Sequence, residues 1–85
     1  MARKNIPPEQ YFSLCTGVLL KNIKELAFAL DYLSDEELGH HVNADKNDFS
    51  TWIHHVFKEK KLARKLSQVQ DRKDMQLILL KHIVR

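Results

Sequence analysis

The clearest hydrophobic pattern in the chain lies within residues 47–57. Apolar side chains recur there at intervals of three and four residues, at Phe49, Trp52, Ile53, Val56 and Phe57. Side chains at this spacing share one face of an α-helix. Asn47 and Asp48 precede the first of them and are residue types that cap helix starts. The pattern predicts a capped helix that holds a small core together.

Two similar signals precede this stretch. Asn22 with Glu25, and Ser34 with Glu37, have the spacing of an N-cap and a reciprocal partner three residues on. The first predicts a helix through residue 33, with Ile23, Leu26, Ala27, Leu30 and Leu33 on its core face. The second predicts a short helix that ends at Gly39 or Asn43.

The remaining elements follow from the same periodicity. Residues 58–70 are predicted to continue as a helix with Leu62, Leu66 and Val69 facing inward. Asp71 with Asp74 predicts the start of a last helix. The predicted core comprises Leu26, Leu30, Phe49, Trp52, Ile53, Val56, Leu62 and Leu66.

The N-terminal region allows two interpretations. Two prolines at positions 7 and 8 predict a mobile arm over residues 1–10. Over residues 8–20, Gly17 between two apolar stretches suits a β-hairpin, in which glycine takes the positive-φ position. Pro8 and Gly17 equally suit the two ends of a helix from residue 8 to 16. The residues alone do not separate these alternatives.

A resemblance bears on this choice. It rests on Gly17-Val18-Leu19-Leu20-Lys21-Asn22-Ile23-Lys24-Glu25-Leu26, His40-His41-Val42, Asn47-Asp48-Phe49-Ser50, Trp52-Ile53, Val56-Phe57 and Leu62-Ala63. These residues resemble a small prokaryotic helical domain of unknown function over roughly residues 11–66. The resemblance implies a hairpin that leads into a helix, and it implies no catalytic residue and no ligand. We therefore expect a mainly α fold, a single domain over residues 11–85 with four or five short helices after an N-terminal β-hairpin.

Composition narrows the class of protein. With 85 residues, 44% of them hydrophobic, nearly every large apolar side chain is needed for one core. A single cysteine, Cys15, gives no sign of an oxidising compartment. The longest apolar run, residues 77–80, is too short to span a membrane, and residues 1–5 lack the apolar stretch of a signal peptide. We expect a soluble cytoplasmic protein without membrane contact.

The histidines are the first candidates for chemistry. Four of the five lie at residues 40, 41, 54 and 55. Neighbouring histidines on a helix point about 100° apart, and no standard metal-ligand spacing is present. For nucleophilic catalysis, Cys15 with a histidine, or Ser50 with His54, lacks an orienting acid at a recognisable spacing. We expect no enzyme, no metal and no cofactor, and we interpret the histidines as helix-rim residues that bond to the backbone.

Charge identifies a second candidate. Residues 21–48 carry a net charge of −4, and residues 49–85 carry +6. Within the basic half, five cations occupy one side of the predicted fourth helix: Lys58, Lys60, Lys61, Arg64 and Lys65. We call these five residues the basic ridge. A ridge of this kind is attractive to phosphates, so a small nucleic-acid-binding protein is one functional hypothesis. A solvated lysine face is the simpler interpretation.

The last predicted helix is apolar on two sides. Met75, Ile78, Leu79 and Ile83 share one face, and Leu77, Leu80 and Val84 share the opposite one. A small domain has little room to bury both faces. The second face therefore predicts self-association as a homodimer. The preferred functional hypothesis is a non-enzymatic interaction module that self-associates through this helix and binds another macromolecule, a protein rather than a nucleic acid.

Overall fold

The computed structural model describes residues 6–84 and confirms a mainly helical fold after an N-terminal hairpin. Two short antiparallel strands, β1 (Phe12–Ser13) and β2 (Leu19–Leu20), pair Phe12 with Leu20. Gly17 lies in the connecting turn with φ of +95°, where a glycine is unstrained. The hairpin alternative for residues 8–20 is thus confirmed.

Five α-helices follow within the described residues. They are α1 (Ile23–Tyr32), α2 (Asp35–His41), α3 (Asp48–Trp52), α4 (Lys60–Ser67) and α5 (Arg72–Val84). A π-helical segment, Ile53–Phe57, continues α3 without a break in the chain direction. The elements fold back on one another, as short connections favour.

The predicted helix starts are confirmed by their capping bonds. The Asn22 side chain accepts a hydrogen bond from the Glu25 amide at 2.9 Å. At α2 the reciprocal pair is complete, since Ser34 Oγ accepts from the Glu37 amide and Glu37 Oε1 accepts from the Ser34 amide. These bonds satisfy amides that the helix itself leaves without acceptors.

One predicted helix is shorter than expected. The prediction of a helix over residues 58–70 is wrong at both ends, because α4 begins at Lys60 and ends at Ser67. Lys58 has φ of +61° and closes the π-helical segment in a left-handed conformation. On a continuous helix Leu62 would lie about 140° round from Phe57 and point away from the core. The break turns α4 so that Leu62 is buried.

The core contains seven of the eight predicted residues as buried side chains, and the eighth, Val56, is half-buried. Met75 and Leu79 complete it from α5 and have no exposed surface. Two α5 side chains bind the backbone of α1. Arg72 donates to the Leu30 carbonyl at 2.6 Å, and Gln76 donates to the Ala27 carbonyl at 2.9 Å. The later residue on α5 binds the earlier residue on α1, so the two helices run antiparallel.

The segment ahead of the hairpin contacts the domain from residue 6 onward. Ile6 is buried, and Pro8–Gln10 form a single 3-10 turn. The Gln10 carbonyl accepts a hydrogen bond from the Trp52 indole at 2.8 Å. Residues 1–5 of the predicted mobile arm lie outside the described residues.

Candidate interaction surfaces

His41 is the most completely bonded of the candidate residues. It is buried at the end of α2, and its Nε2 accepts a hydrogen bond from the Cys15 amide at 3.1 Å. Its Nδ1 lies 3.1 Å from Asp48 Oδ2. Because Nε2 is an acceptor, Nδ1 carries the proton and donates it to the carboxylate. His41 thus joins the hairpin, α2 and α3.

Aromatic contacts surround the same ring. Its centroid lies 5.1 Å from that of Phe12, in an edge-to-face arrangement, and 5.4 Å from that of Phe49. Phe12 also meets Trp52 edge-to-face, at 5.6 Å. Arrangements of this kind stabilise aromatic pairs by more than the burial of their apolar area alone would. The cluster of His41, Phe12, Phe49 and Trp52 is therefore a part of the core.

The fold brings Cys15, His41 and Asp48 together, which the sequence spacing did not reveal. A nucleophile, a base and an acid are the residue types of a catalytic triad. Here the Cys15 amide, and not its thiol, occupies His41 Nε2. The Cys15 Sγ lies 3.9 Å from the Glu37 carbonyl. The ring nitrogen that would accept the thiol proton is thus already bonded, and the arrangement holds the hairpin in place.

The other histidines on α2 and the π-helical segment lie on the surface. His40, His54 and His55 are exposed, and the rings of the last two have centroids 5.0 Å apart. Among residues 6–84, no group of three or more histidine, cysteine, aspartate or glutamate side chains is placed to hold a metal ion.

The basic ridge is on the surface over its whole length. All five of its cations are exposed, and none takes part in an ion pair with another described residue. Leu62, Ala63 and Leu66 on the opposite side of α4 are buried. The five cations are thus available to an external anion.

A cleft of about 750 Å³ lies between the residues around the start of α4 and the second half of α5. Four residues of the basic ridge line it, whereas Arg64 does not. The α5 side adds Ile78, Lys81 and His82, and Leu62 and Glu59 complete the lining. Sequence reasoning missed Lys81 as a partner of the ridge, because 16 positions separate it from Lys65 and only the packing of α5 on α4 brings the two to one cleft.

The second apolar face of α5 is also on the surface. Leu77, Leu80 and Val84 are 52%, 39% and 77% exposed, although they share a helix with the fully buried Met75 and Leu79. Two aromatic side chains on α1, Phe28 and Tyr32, are 52% and 56% exposed. The three α5 side chains share one face of a single helix, and exposed apolar side chains that lie together are typical of an interaction site.

Comparisons with known proteins add no relative. A scan against protein-family models, a search of curated proteins and a search of solved structures each found no match. The resemblance over residues 11–66 stays a prediction. No helix of the described chain has both the length and the apolar character needed to cross a membrane.

Proposed function

We propose that this protein is a non-enzymatic interaction module that self-associates through the second apolar face of α5 and binds another macromolecule. The observation that carries the proposal is the exposure of Leu77, Leu80 and Val84 on the side of α5 that faces away from the core. Burying such a side chain from full exposure is worth on the order of 1.5–3 kcal/mol, and these three would gain the share that corresponds to their remaining exposure of 39–77%. A second copy of the chain supplies a matching surface.

Exposed large apolar side chains are also present on α1. Ala27 is buried and its carbonyl binds α5, and Phe28 lies about 100° further round the helix, on the side away from the core. Since α1 packs against α5, we infer that the exposed Phe28 and Tyr32 add to the apolar area that Leu77 and Leu80 offer. The Lys24 ammonium lies 5.7 Å from the centroid of the Phe28 ring. A two-fold dimer built on this surface would bring four helices together.

Charge favours the same partner. The region that contains α1 and α2 is acidic, and the region that contains α4 and α5 is basic, with net charges of −4 for residues 21–48 and +6 for residues 49–85. Opposite charges on the two halves make one copy attractive to another in a two-fold arrangement.

Light scattering coupled to size-exclusion chromatography tests self-association. We expect a homodimer at micromolar concentration and a monomer after Leu80→Glu, because a carboxylate at the centre of the interface would be desolvated. Gln70→Glu introduces the same charge at an exposed position outside the helices and should leave the dimer intact. Truncation after Asp74 is a poorer test, since it would also remove Met75 and Leu79 from the core.

A monomeric parent protein at high concentration, or a Leu80→Glu variant that remains dimeric, would contradict self-association through α5. Melting curves of both variants separate loss of the interface from loss of the fold.

A second candidate function is the binding of nucleic acid by the basic ridge. The observation in its favour is that all five cations are exposed and unpaired among the described residues. Such binding would be sequence-independent and would weaken steeply with salt. Replacing Lys61, Arg64 and Lys65 with glutamine should abolish a gel shift without lowering the melting temperature. No shift at about 50 mM salt with micromolar protein would contradict this function.

A further inference from the structure

We propose that the cleft between α4 and α5 is a binding site for a chain of linked phosphates, in which Lys81 acts together with the basic ridge. The proposal goes beyond the second candidate function, because both require phosphate contact but the cleft also suits a free oligophosphate. It differs in the residues that make the contact. Lys81 belongs to the proposed site, whereas Arg64 does not.

The charge around the cleft supports an anionic ligand. Five lysines line it, at positions 58, 60, 61, 65 and 81, against a single carboxylate, Glu59. The lysines are exposed and none is in an ion pair with another described residue. Charges of one sign concentrate the electrostatic field more strongly when they line a concave cleft than when they lie on a convex ridge. Five positive charges exceed the need of one phosphate and suit several linked ones.

The backbone at the edge of the cleft supports the same site. Lys58 adopts a left-handed conformation that glycine occupies at lower cost. This conformation ends the π-helical segment and lets α4 begin two residues later. The turn thereby places Lys58 and the first-turn residues Lys60 and Lys61 around one opening.

The size of the cleft fits the proposed ligand. Its volume of about 750 Å³ lies in the range of small-ligand sites. Two aliphatic side chains, Leu62 and Ile78, form apolar parts of the lining between the lysines. A row of phosphates can come from a nucleic-acid strand, in which sugars join monoanionic diesters, or from a free oligophosphate, in which the groups are joined directly. Both place several negative charges in a row opposite the lysines.

Two single variants distinguish the cleft from the outer side of the ridge. Lys81→Gln and Arg64→Gln each remove one exposed cation, one inside the cleft and one outside it. The probes are a fluorescent twelve-nucleotide oligothymidylate, read by anisotropy, and inorganic tripolyphosphate, read by calorimetry. At about 50 mM salt, the loss of one phosphate contact should weaken binding roughly five- to tenfold and reduce the salt slope for the oligonucleotide by about 0.7.

We expect Lys81→Gln to show this loss and Arg64→Gln to bind within twofold of the parent, with unchanged melting curves for both. The reverse pattern, or equal losses in the two variants, would overturn the cleft and leave phosphate contact along the ridge. Binding of tripolyphosphate that depends on Lys81, without binding of the oligonucleotide, would support the cleft and overturn nucleic-acid binding. No binding of either probe by the parent protein would overturn both.

Discussion

The cluster around His41 differs from the outer surfaces of α4 and α5 in whether its side chains have bonding partners within the domain. Around His41, both ring nitrogens, the neighbouring carboxylate and the aromatic rings all have partners within the domain. Among the described residues, no buried side-chain nitrogen or oxygen lacks a hydrogen bond. On α4 and the turn before it, the five cations of the basic ridge face outward, and three large aliphatic side chains do so on α5.

The difference shows where function should be sought in this molecule. Histidine, cysteine and aspartate are the residues that usually indicate chemistry, but here their polar atoms hold the hairpin to α2 and α3. Lysine and leucine are common surface and core residues, yet here both types are exposed on the outer sides of α4 and α5. We therefore expect substitutions in the first region to lower stability and substitutions of the exposed side chains in the second to leave it nearly unchanged.

The largest effect is expected at the centre of the His41 region. Trp52→Ala should lower the free energy of unfolding by roughly 3–5 kcal/mol, enough to unfold a domain of this size. The indole is 7% exposed, donates to the Gln10 carbonyl and packs edge-to-face on Phe57. Urea denaturation followed by circular dichroism measures the loss. A variant that melts like the parent would show that this region does not hold the core.

A smaller loss is expected from His41→Leu. Leucine retains much of the buried volume but leaves the Cys15 amide without its acceptor, which should cost about 1–3 kcal/mol. His40→Leu is the matched control, because His40 is the exposed neighbour on the same helix. Its effect should stay within about 0.5 kcal/mol. Equal losses in the two variants, measured by the same denaturation, would remove the distinction between the buried ring and the exposed one.

The smallest effect concerns the second region and has the opposite sign. Lys58→Gly should raise the free energy of unfolding by about 0.5 kcal/mol. Glycine removes the steric cost of the left-handed conformation, which is roughly 1–2 kcal/mol for a residue with a Cβ atom. The greater freedom of glycine in the unfolded chain offsets part of this gain. Lys65→Gly, inside α4, should instead cost about 1 kcal/mol. Destabilisation by both glycines would mean that the conformation at position 58 is not strained.

The sequence predicted those parts of the fold that depend on near neighbours. The pair Ser34 and Glu37 is three residues apart, so its two reciprocal bonds can be read from the spacing alone. The apolar face of α3 could be predicted from residue spacing in the same way. The break at Lys58 could not be predicted, because no glycine or proline stands there. It follows from the need to turn Leu62 towards the core, which only the packing of α4 reveals.

The candidate surfaces show the same limit. Leu77, Leu80 and Val84 could be predicted to share a face because one helix carries all three, and the structure places them on the surface. The contact between His41 and Cys15 spans 26 positions, and the cleft joins Lys65 to Lys81. Neither pairing has a local signal, since each depends on how distant helices pack.

The pairing of α1 with α5 bears on how the chain folds as it is synthesised. The Gln76 side chain reaches Ala27 and Asp31, 49 and 45 positions earlier in the chain. A ribosome-bound chain that ends before Met75 therefore carries α1 without the helix that covers one of its sides. Contacts between residues so far apart form late in folding, because the chain loses the conformational entropy of the intervening loop before these contacts can stabilise it. Until α5 emerges, the side of α1 that α5 covers in the folded domain stays exposed, and exposed apolar surface of this kind makes incomplete chains prone to aggregate.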